Sequence, residues 1–341
     1  MVLQEIKGDT IKDVAGQCLI DTVIIERKKM KDASNLGAMF GVGKVDTFLG
    51  LPACQDLDGL QARVAILGAP CASPYKSVGA YCAGAPSAIR EAIVGWSANI
   101  QHVDFDLDRP LFADGQVSAV DCGDLDYDEN DAPGNRARIR NSVSKILNAG
   151  ALPIVLGGDD SIPIPVFEAF AGRGDLSVLQ IDAHIDWRDE VQGERWGLSS
   201  TMRRASEMAH VTNIIQVGKR GIGSARAADY QAALDWGVRF FSAREVYRDG
   251  IAGVVDAVPP DGNVIISLDC DGLDPSVIPG VIGRAPGGLD YWQTVEIIHG
   301  VAAKANLVGF NIVEFMPERD VDALGALVCA RIVSNVIGLG A

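Results

Sequence analysis

The chain lacks any pairing pattern among its cysteines. The seven, at Cys18, Cys54, Cys71, Cys82, Cys122, Cys270 and Cys329, are odd in number, scattered, and include no C-x-x-C spacing. That argues against a disulfide framework and predicts free thiols in a reducing compartment, the cytoplasm. Basic charge is also short: 30 Lys and Arg stand against 45 Asp and Glu, for a net charge of −15. Such a surface does not attract phosphate backbones or anionic lipid, so neither nucleic acid nor membrane is expected as a partner. The one basic cluster, "ERKKMK" at 26–31, is short and reads as a solvated helix face. No apolar run reaches the roughly 20 residues of a membrane span. The N-terminus shows no basic-then-apolar signal pattern. Linkers, low-complexity tracts and internal repeats are missing too. Residues 41–341 therefore read as a single domain, and residues 1–40 as an appended arm that packs either on the body or on another subunit. Histidine is sparse, with only His102, His184, His210 and His299.

What is abundant is apolar sequence, 48% of the 341 residues. Short β-branched runs read as buried strands: 63–67, 117–122, 152–156, 176–181, 212–217, 263–268 and 306–313. Most lack polar alternation, as strands covered on both faces do. Helical patterns lie between them. Ile139, Val143 and Ile146 share one helical face, as do Leu324, Leu327, Val328 and Ile332. Pro86 suits the first turn of a helix. Strands alternating with helices predict an α/β fold with a mostly parallel sheet between two helical layers. In such sheets, ligands bind beyond the carboxyl ends of the strands.

Acidic residues gather at three of those ends. "LGGDDS" (156–161) carries Asp159 and Asp160, "DAHID" carries Asp182, His184 and Asp186, and "DCDGLDP" carries Asp269, Asp271 and Asp274. Alternate side chains of an extended segment point the same way, so Asp182, His184 and Asp186 are expected to converge, as are Asp269 and Asp271. Carboxylates packed this closely repel one another, and divalent cations remove that penalty. A mixed carboxylate and imidazole donor set suits Mn, Fe, Ni or Zn. A single D-x-H-x-D is common in solvated loops. Two such sets, each after a buried strand, are not.

In order and spacing, "GGDDS", "DAHID" and "SLDCDGLDP" resemble the signature blocks of the ureohydrolases, the family of arginase, agmatinase and guanidinobutyrase. "FLGLP" (48–52), "GAPSAIR" (84–90), "DCGDLD" (121–126) and "APGGL" (285–289) are similar to further landmarks of that family, so the resemblance covers roughly residues 45–340. The block at 313–331 is most similar to the branch with guanidine hydrolase and metformin hydrolase. The resemblance implies a three-layer αβα fold, trimers or hexamers, two Ni or Mn ions, and hydrolysis of a guanidinium to urea and an amine. It makes Asp182 and Asp269 bridging ligands, Asp186 a ligand of the first metal, and His184 and Asp271 ligands of the second. Glu314 becomes the carboxylate that pairs with the guanidinium.

Two positions depart from the pattern. The family block reads G-G-D-H-S with a histidine ligand to the first metal, and here that position is Asp160. The family's proton-shuttle histidine falls, by alignment on Arg204, at Leu198. None of the other three histidines falls at either place. With both histidines gone, the resemblance points to a supporting subunit of a hetero-oligomer, metformin-hydrolase-like, working beside an active paralogue. Metal occupancy in this chain is then expected to be weak, single or absent, because the shorter aspartate arm falls short of the first metal. The alternative is an active agmatinase- or guanidinobutyrase-type enzyme with an altered first-metal site. A deacetylase-like zinc hydrolase fits less well, given the second aspartate of "DCD" and Glu314.

Overall fold

The computed structural model describes residues 45–341, Ser224 excepted, so the arm assigned to residues 1–40 lies outside the described residues. Eight strands form one sheet: β1 (Val64–Ala69), β2 (Ala119–Asp124), β3 (Leu152–Gly157), β4 (Leu176–Ile181), β5 (Val211–Lys219), β6 (Arg239–Ser242), β7 (Asn263–Asp269) and β8 (Asn306–Val313). Their order is β2-β1-β3-β8-β7-β4-β5-β6, and every neighbouring pair is parallel. Seven of them are the segments read from sequence. The eighth, β6, is a four-residue edge strand, too short for a periodicity to register.

The helices are α1 (Ala85–Ile93), α2 (Ala132–Asn148), α3 (Pro163–Glu168), α4 (Thr201–Ala205), α5 (Ala227–Trp236), α6 (Ala243–Asp249), α7 (Ala252–Ala257), α8 (Tyr291–Lys304) and α9 (Leu324–Gly340). The strand period of two sorts side chains into two cores. Val64 and Ile66 of β1 face the layer containing Ile89 of α1, Ile298 of α8 and Ile332 of α9. Ala65 and Leu67 face the layer containing Ile139 and Val143 of α2 and Phe167 of α3. Both faces of β1, β3 and β4 are buried, which explains their unbroken apolar runs. Each fully buried isoleucine contributes about 1.5–3 kcal/mol. α2 starts where Asp131 accepts the Gly134 amide at 2.9 Å, an N-terminal cap. No described helix is long and apolar enough to cross a membrane.

Three of the sequence landmarks meet at one buried carboxylate away from the metal-type cluster. Asp121 takes a forked pair of hydrogen bonds from Arg90 of α1, at 2.7 and 2.9 Å, and the Phe48 amide at 2.7 Å. It thereby ties "FLGLP", "GAPSAIR" and "DCGDLD" together. Those motifs hold α1 and the N-terminal loop onto β2.

Candidate metal centre

Sheet register assembles the site. Ile181 pairs with Leu268, so Asp182 and Asp269 stand level at the ends of β4 and β7. Val313 pairs with Asp269, which puts Glu314 one step beyond it. Leu156 pairs with Ile312 on the other side, so the "GGDDS" turn rises next to Glu314. The four central strands β3, β8, β7 and β4 thus each deliver one acidic block to the same end of the sheet. The turn after β3 needs its second glycine: a Cβ on Gly158 would lie 2.2 Å from the Pro70 carbonyl oxygen.

The acidic side chains form two groups. Ligand atoms of Asp182, His184 and Asp271 lie within 4.8 Å of one another, and so do those of Asp160, Asp182 and Asp186. Asp182 belongs to both. The single point of convergence expected for Asp182, His184 and Asp186 is therefore corrected to two adjoining points. The chain leaves the extended conformation after Ile181, and Asp186 sits at φ +44°, a strained value for a non-glycine residue. Asp269, expected beside Asp271 as a bridging group, is in neither group. Its carboxylate accepts the Asp271 amide at 2.8 Å and caps the turn Cys270–Gly272, so Asp269 and Asp271 do not share one extended segment. Asp271 is instead held by the Ala183 amide at 3.1 Å. The shorter arm of Asp160 does bring a carboxylate oxygen into its group.

The local charge is one-sided. Asp160, Asp182, Asp186, Asp269, Asp271 and Glu314 are all buried. Burial first, then the charges of Asp186, Asp182 and Glu314, push Asp160 well above the usual carboxylate range. Burial and the Asp182 charge do the same to Asp186, and burial with the Asp271 charge to Asp269. Burial pushes Asp182 up as well, but hydrogen bonds from His184 and Asp186 outweigh it and hold Asp182 low. The His184 imidazole, with Nδ1 3.4 Å from Asp182 and 3.2 Å from Asp271, is pushed up to about 12 by hydrogen bonds to those two carboxylates. Those two carboxylates favour the protonated, cationic form of the imidazole. A bound divalent ion takes over that role and needs the imidazole neutral.

Glu314, at φ +63°, presents its carboxylate between the Tyr81 hydroxyl, 2.7 Å from each oxygen, and the Asp160 amide at 2.9 Å. Burial and the Asp159 charge raise it to about 8 despite those two donors. Leu198 lies in a loop whose neighbours hold Tyr75: the Ser199 amide donates to the Tyr75 hydroxyl at 3.3 Å, and the ring fills the space where a Gly197 Cβ would stand. Asp159 is buried with its carboxylate on the Ser161 amide at 3.1 Å, and Asp274 accepts the Gly287 amide at 2.7 Å, so both shape loops.

Several residues that position this centre were not singled out from sequence. Gln180 donates through one amide nitrogen to Asp182 at 2.7 Å and to Asp186 at 2.9 Å, and accepts in turn from Gln216. A glutamine inside each of the apolar runs "SVLQI" and "NIIQV" was the available signal, since a buried amide requires partners. Arg220 donates to the carbonyls of Gly218, Asp271, Gly272, Leu273 and Ala285, wrapping the turn after β7 around one guanidinium. No motif marks it.

The donor set fits divalent cations. It offers oxygen and imidazole donors on two groups that share one carboxylate. Both oxygens of Asp160 are buried with no hydrogen-bond partner, a state that is costly unless a cation faces them. The arginase family model matches residues 62–338. The chain belongs to the arginase family. It is 33% identical over 224 residues to mitochondrial agmatinase of Gallus gallus, covering 64% of this chain and 65% of that protein, just under two thirds of its length. It is 31% identical over 302 residues to mitochondrial arginase 1 of Arabidopsis thaliana, covering 82% of each. Its fold superposes on proclavaminate amidino hydrolase from Streptomyces clavuligerus with a TM-score of 0.76 at 26% identity, covering 87% of this chain and 97% of that one. Arginase-family proteins are amidinohydrolases with a two-metal centre, which accounts for two donor groups sharing Asp182.

Proposed function

We propose that this chain is itself a metal-dependent hydrolase that releases urea from a guanidino compound, with an altered first-metal site. The observation that carries the reading is the position of Asp160, grouped with Asp182 and Asp186 beside the second group and next to Glu314. In this reading Asp160, Asp182 and Asp186 hold one cation and Asp182, His184 and Asp271 the other, with Asp269 supporting the turn between them. Bound cations supply Lewis acidity that makes water a nucleophile near neutral pH. Glu314 pairs with the planar guanidinium in a forked geometry. The Tyr81 hydroxyl and the Asp160 amide would hold the Glu314 carboxylate in place for that pairing. Leu198 carries no proton, so the leaving amine takes its proton from another donor.

A second reading keeps the chain as a metformin-hydrolase-like supporting subunit, in trimers or hexamers with a paralogue rather than with itself. What favours it is Leu198 at the shuttle position. A cytoplasmic location is part of either reading, and the six described cysteines are free thiols, as a reducing compartment requires. The deciding experiment uses the purified chain alone, loaded with Mn or Ni, and measures urea from agmatine, 4-guanidinobutyrate, arginine, guanidine and metformin. The expected result is urea from at least one of them, abolished in Glu314→Gln. Metal-loaded protein that releases none, but gains activity when a paralogue is co-expressed, overturns the first reading in favour of the second.

A further inference from the structure

We infer that Cys54 and Cys122 form a peroxide-responsive dithiol, which couples into a reversible disulfide between the N-terminal loop and the edge of the sheet. The inference does not depend on the proposed metal centre or reaction. Backbone pairing brings the two residues together. Ala53 bridges Asp121 in the parallel sense, the Cys54 amide donates to the Asp121 carbonyl at 2.9 Å, and the Asp121 amide donates to the Pro52 carbonyl at 3.0 Å. The next residue on each segment is a cysteine. Paired strands lie about 4.7–4.9 Å apart, and the Cα atoms of a disulfide lie about 4.4–6.8 Å apart. Asp121 turns its side chain toward Arg90 and the Phe48 amide, so by alternation Cys54 and Cys122 share the opposite face. Both pack there against the layer containing Ile139 and Phe167, and their thiols hydrogen-bond each other.

Exposure sets this pair apart from the other described cysteines. Cys54 and Cys122 are half-buried, whereas Cys71, Cys82, Cys270 and Cys329 are buried. The Cys270 and Cys329 sulfurs lie 3.6 Å apart, but both residues are fully buried, so an oxidant has no path to them. Cys122 instead lines a surface cavity of about 850 Å³ whose wall carries Asp56, Asp121, Asp124 and Asp126. Such a wall repels anionic oxidants and admits neutral hydrogen peroxide. Burial first, then the neighbouring Cys54 and Asp121, push the Cys122 thiol up to about 12, which leaves Cys54 to react first. The Cys54 sulfur attacks one peroxide oxygen, the O–O bond breaks, and the other oxygen leaves as water with the thiol proton. The Cys122 sulfur then attacks the Cys54 sulfur, the S–O bond breaks, and the hydroxyl leaves as water with the second thiol proton. Two thiols lose two electrons in all, and one peroxide becomes two waters. A thiol reductant reverses the link by exchange.

The test uses the full chain, reduced, freed of reductant, and treated with hydrogen peroxide in chelator, which suppresses metal-driven oxidation. Remaining thiols are alkylated after denaturation, and the digested peptides are read by mass spectrometry. Peroxide is expected to link Cys54 to Cys122 within one chain, consuming two of the seven thiols, and dithiothreitol to restore both. Cys270 and Cys329 are expected to pair at least about tenfold more slowly. In Cys122→Ser, Cys54 is expected to stop at the sulfenic acid, where dimedone traps it. In Cys54→Ser, neither adduct nor link is expected at Cys122. The linked wild-type chain is expected to melt several degrees above the reduced one, because the link closes a long loop in the unfolded chain, and neither variant is expected to show that shift. Circular dichroism confirms that each variant folds, and if one does not, the wild-type peptide map decides. Peroxide that leaves both thiols free, links them only between chains, or links Cys270 to Cys329 equally fast overturns the inference.

Discussion

Replacing Gln180 by leucine removes the side-chain donor that Asp182 and Asp186 share. The amide reaches Asp182 at 2.7 Å and Asp186 at 2.9 Å inside a region with no exposed surface at Gln180 itself. A hydrogen bond to a charged group contributes about 1.5–3 kcal/mol, so two removed together set an upper limit of about 3–6 kcal/mol. Asp186 is already held toward its neutral form by burial and by the Asp182 charge, and its protonation offsets part of the loss. The lower end, about 3 kcal/mol, is therefore expected for the metal-free protein. Gln216 loses its Gln180 acceptor but keeps the Ile185 carbonyl at 3.0 Å, so the substitution strands little else. With metal, the same donor orients ligands, and losing such a group lowers affinity by about 10–100-fold. Urea unfolding of chelator-treated protein measures the first quantity, and calorimetric titration with Mn the second. If Gln180→Leu leaves both the unfolding midpoint and the Mn affinity unchanged, the amide does not hold these carboxylates and the account of the centre fails.

Stability of the metal-free chain is expected to fall as pH rises. Glu314, at about 8 when folded, gains stability from its proton below its ordinary value near 4.5 and loses it as pH climbs through 8, and His184, at about 12, loses its contribution from its ordinary value near 6.5 upward. Melting temperatures in chelator should therefore drop between pH 5 and pH 9, while the rise produced by Mn should grow over the same range because binding displaces those protons; a flat chelator profile refutes this. Tyr81→Phe removes one donor to the Glu314 carboxylate and should raise KM for a guanidino substrate about tenfold with a smaller change in kcat, since it loosens the binding fork and leaves the metal groups intact. An effect confined to kcat counts against that role.

The main strands were legible because β1, β3 and β4 are buried on both faces, which leaves uninterrupted apolar runs bounded by turns. The acidic blocks were legible for a related reason: a carboxylate directly after such a run has no role in the core. What stayed hidden depended on three-dimensional pairing. Period-two reasoning assigned Asp182, His184 and Asp186 to one point, and it failed because the segment after β4 is not extended and Asp186 takes a left-handed backbone. Asp269 and Asp271 look equivalent in "DCD", but a turn beginning at Cys270 gives them different partners. Arg220 contacts five main-chain carbonyls, none of which sequence proximity connects to it apart from Gly218. Backbone acceptors leave no mark on a sequence.

The two departures at Asp160 and Leu198 have different physical weight. Leu198, half-buried in its loop, carries no polar group that burial penalises. An aspartate at position 160 does. It adds a buried carboxylate to five others, and neither of its oxygens finds a protein donor. Burial and the neighbouring carboxylates favour the neutral form of Asp160, and a buried carboxyl group without a hydrogen-bond partner is still costly. A chain that no longer bound cations would therefore gain by losing Asp160, or by acquiring a donor beside it. Here the turn positions Asp160 through its amide on Glu314 and its carbonyl on Thr201, and leaves the carboxylate bare. That combination of an unpartnered carboxyl group and a fixed backbone favours a cation ligand over a remnant.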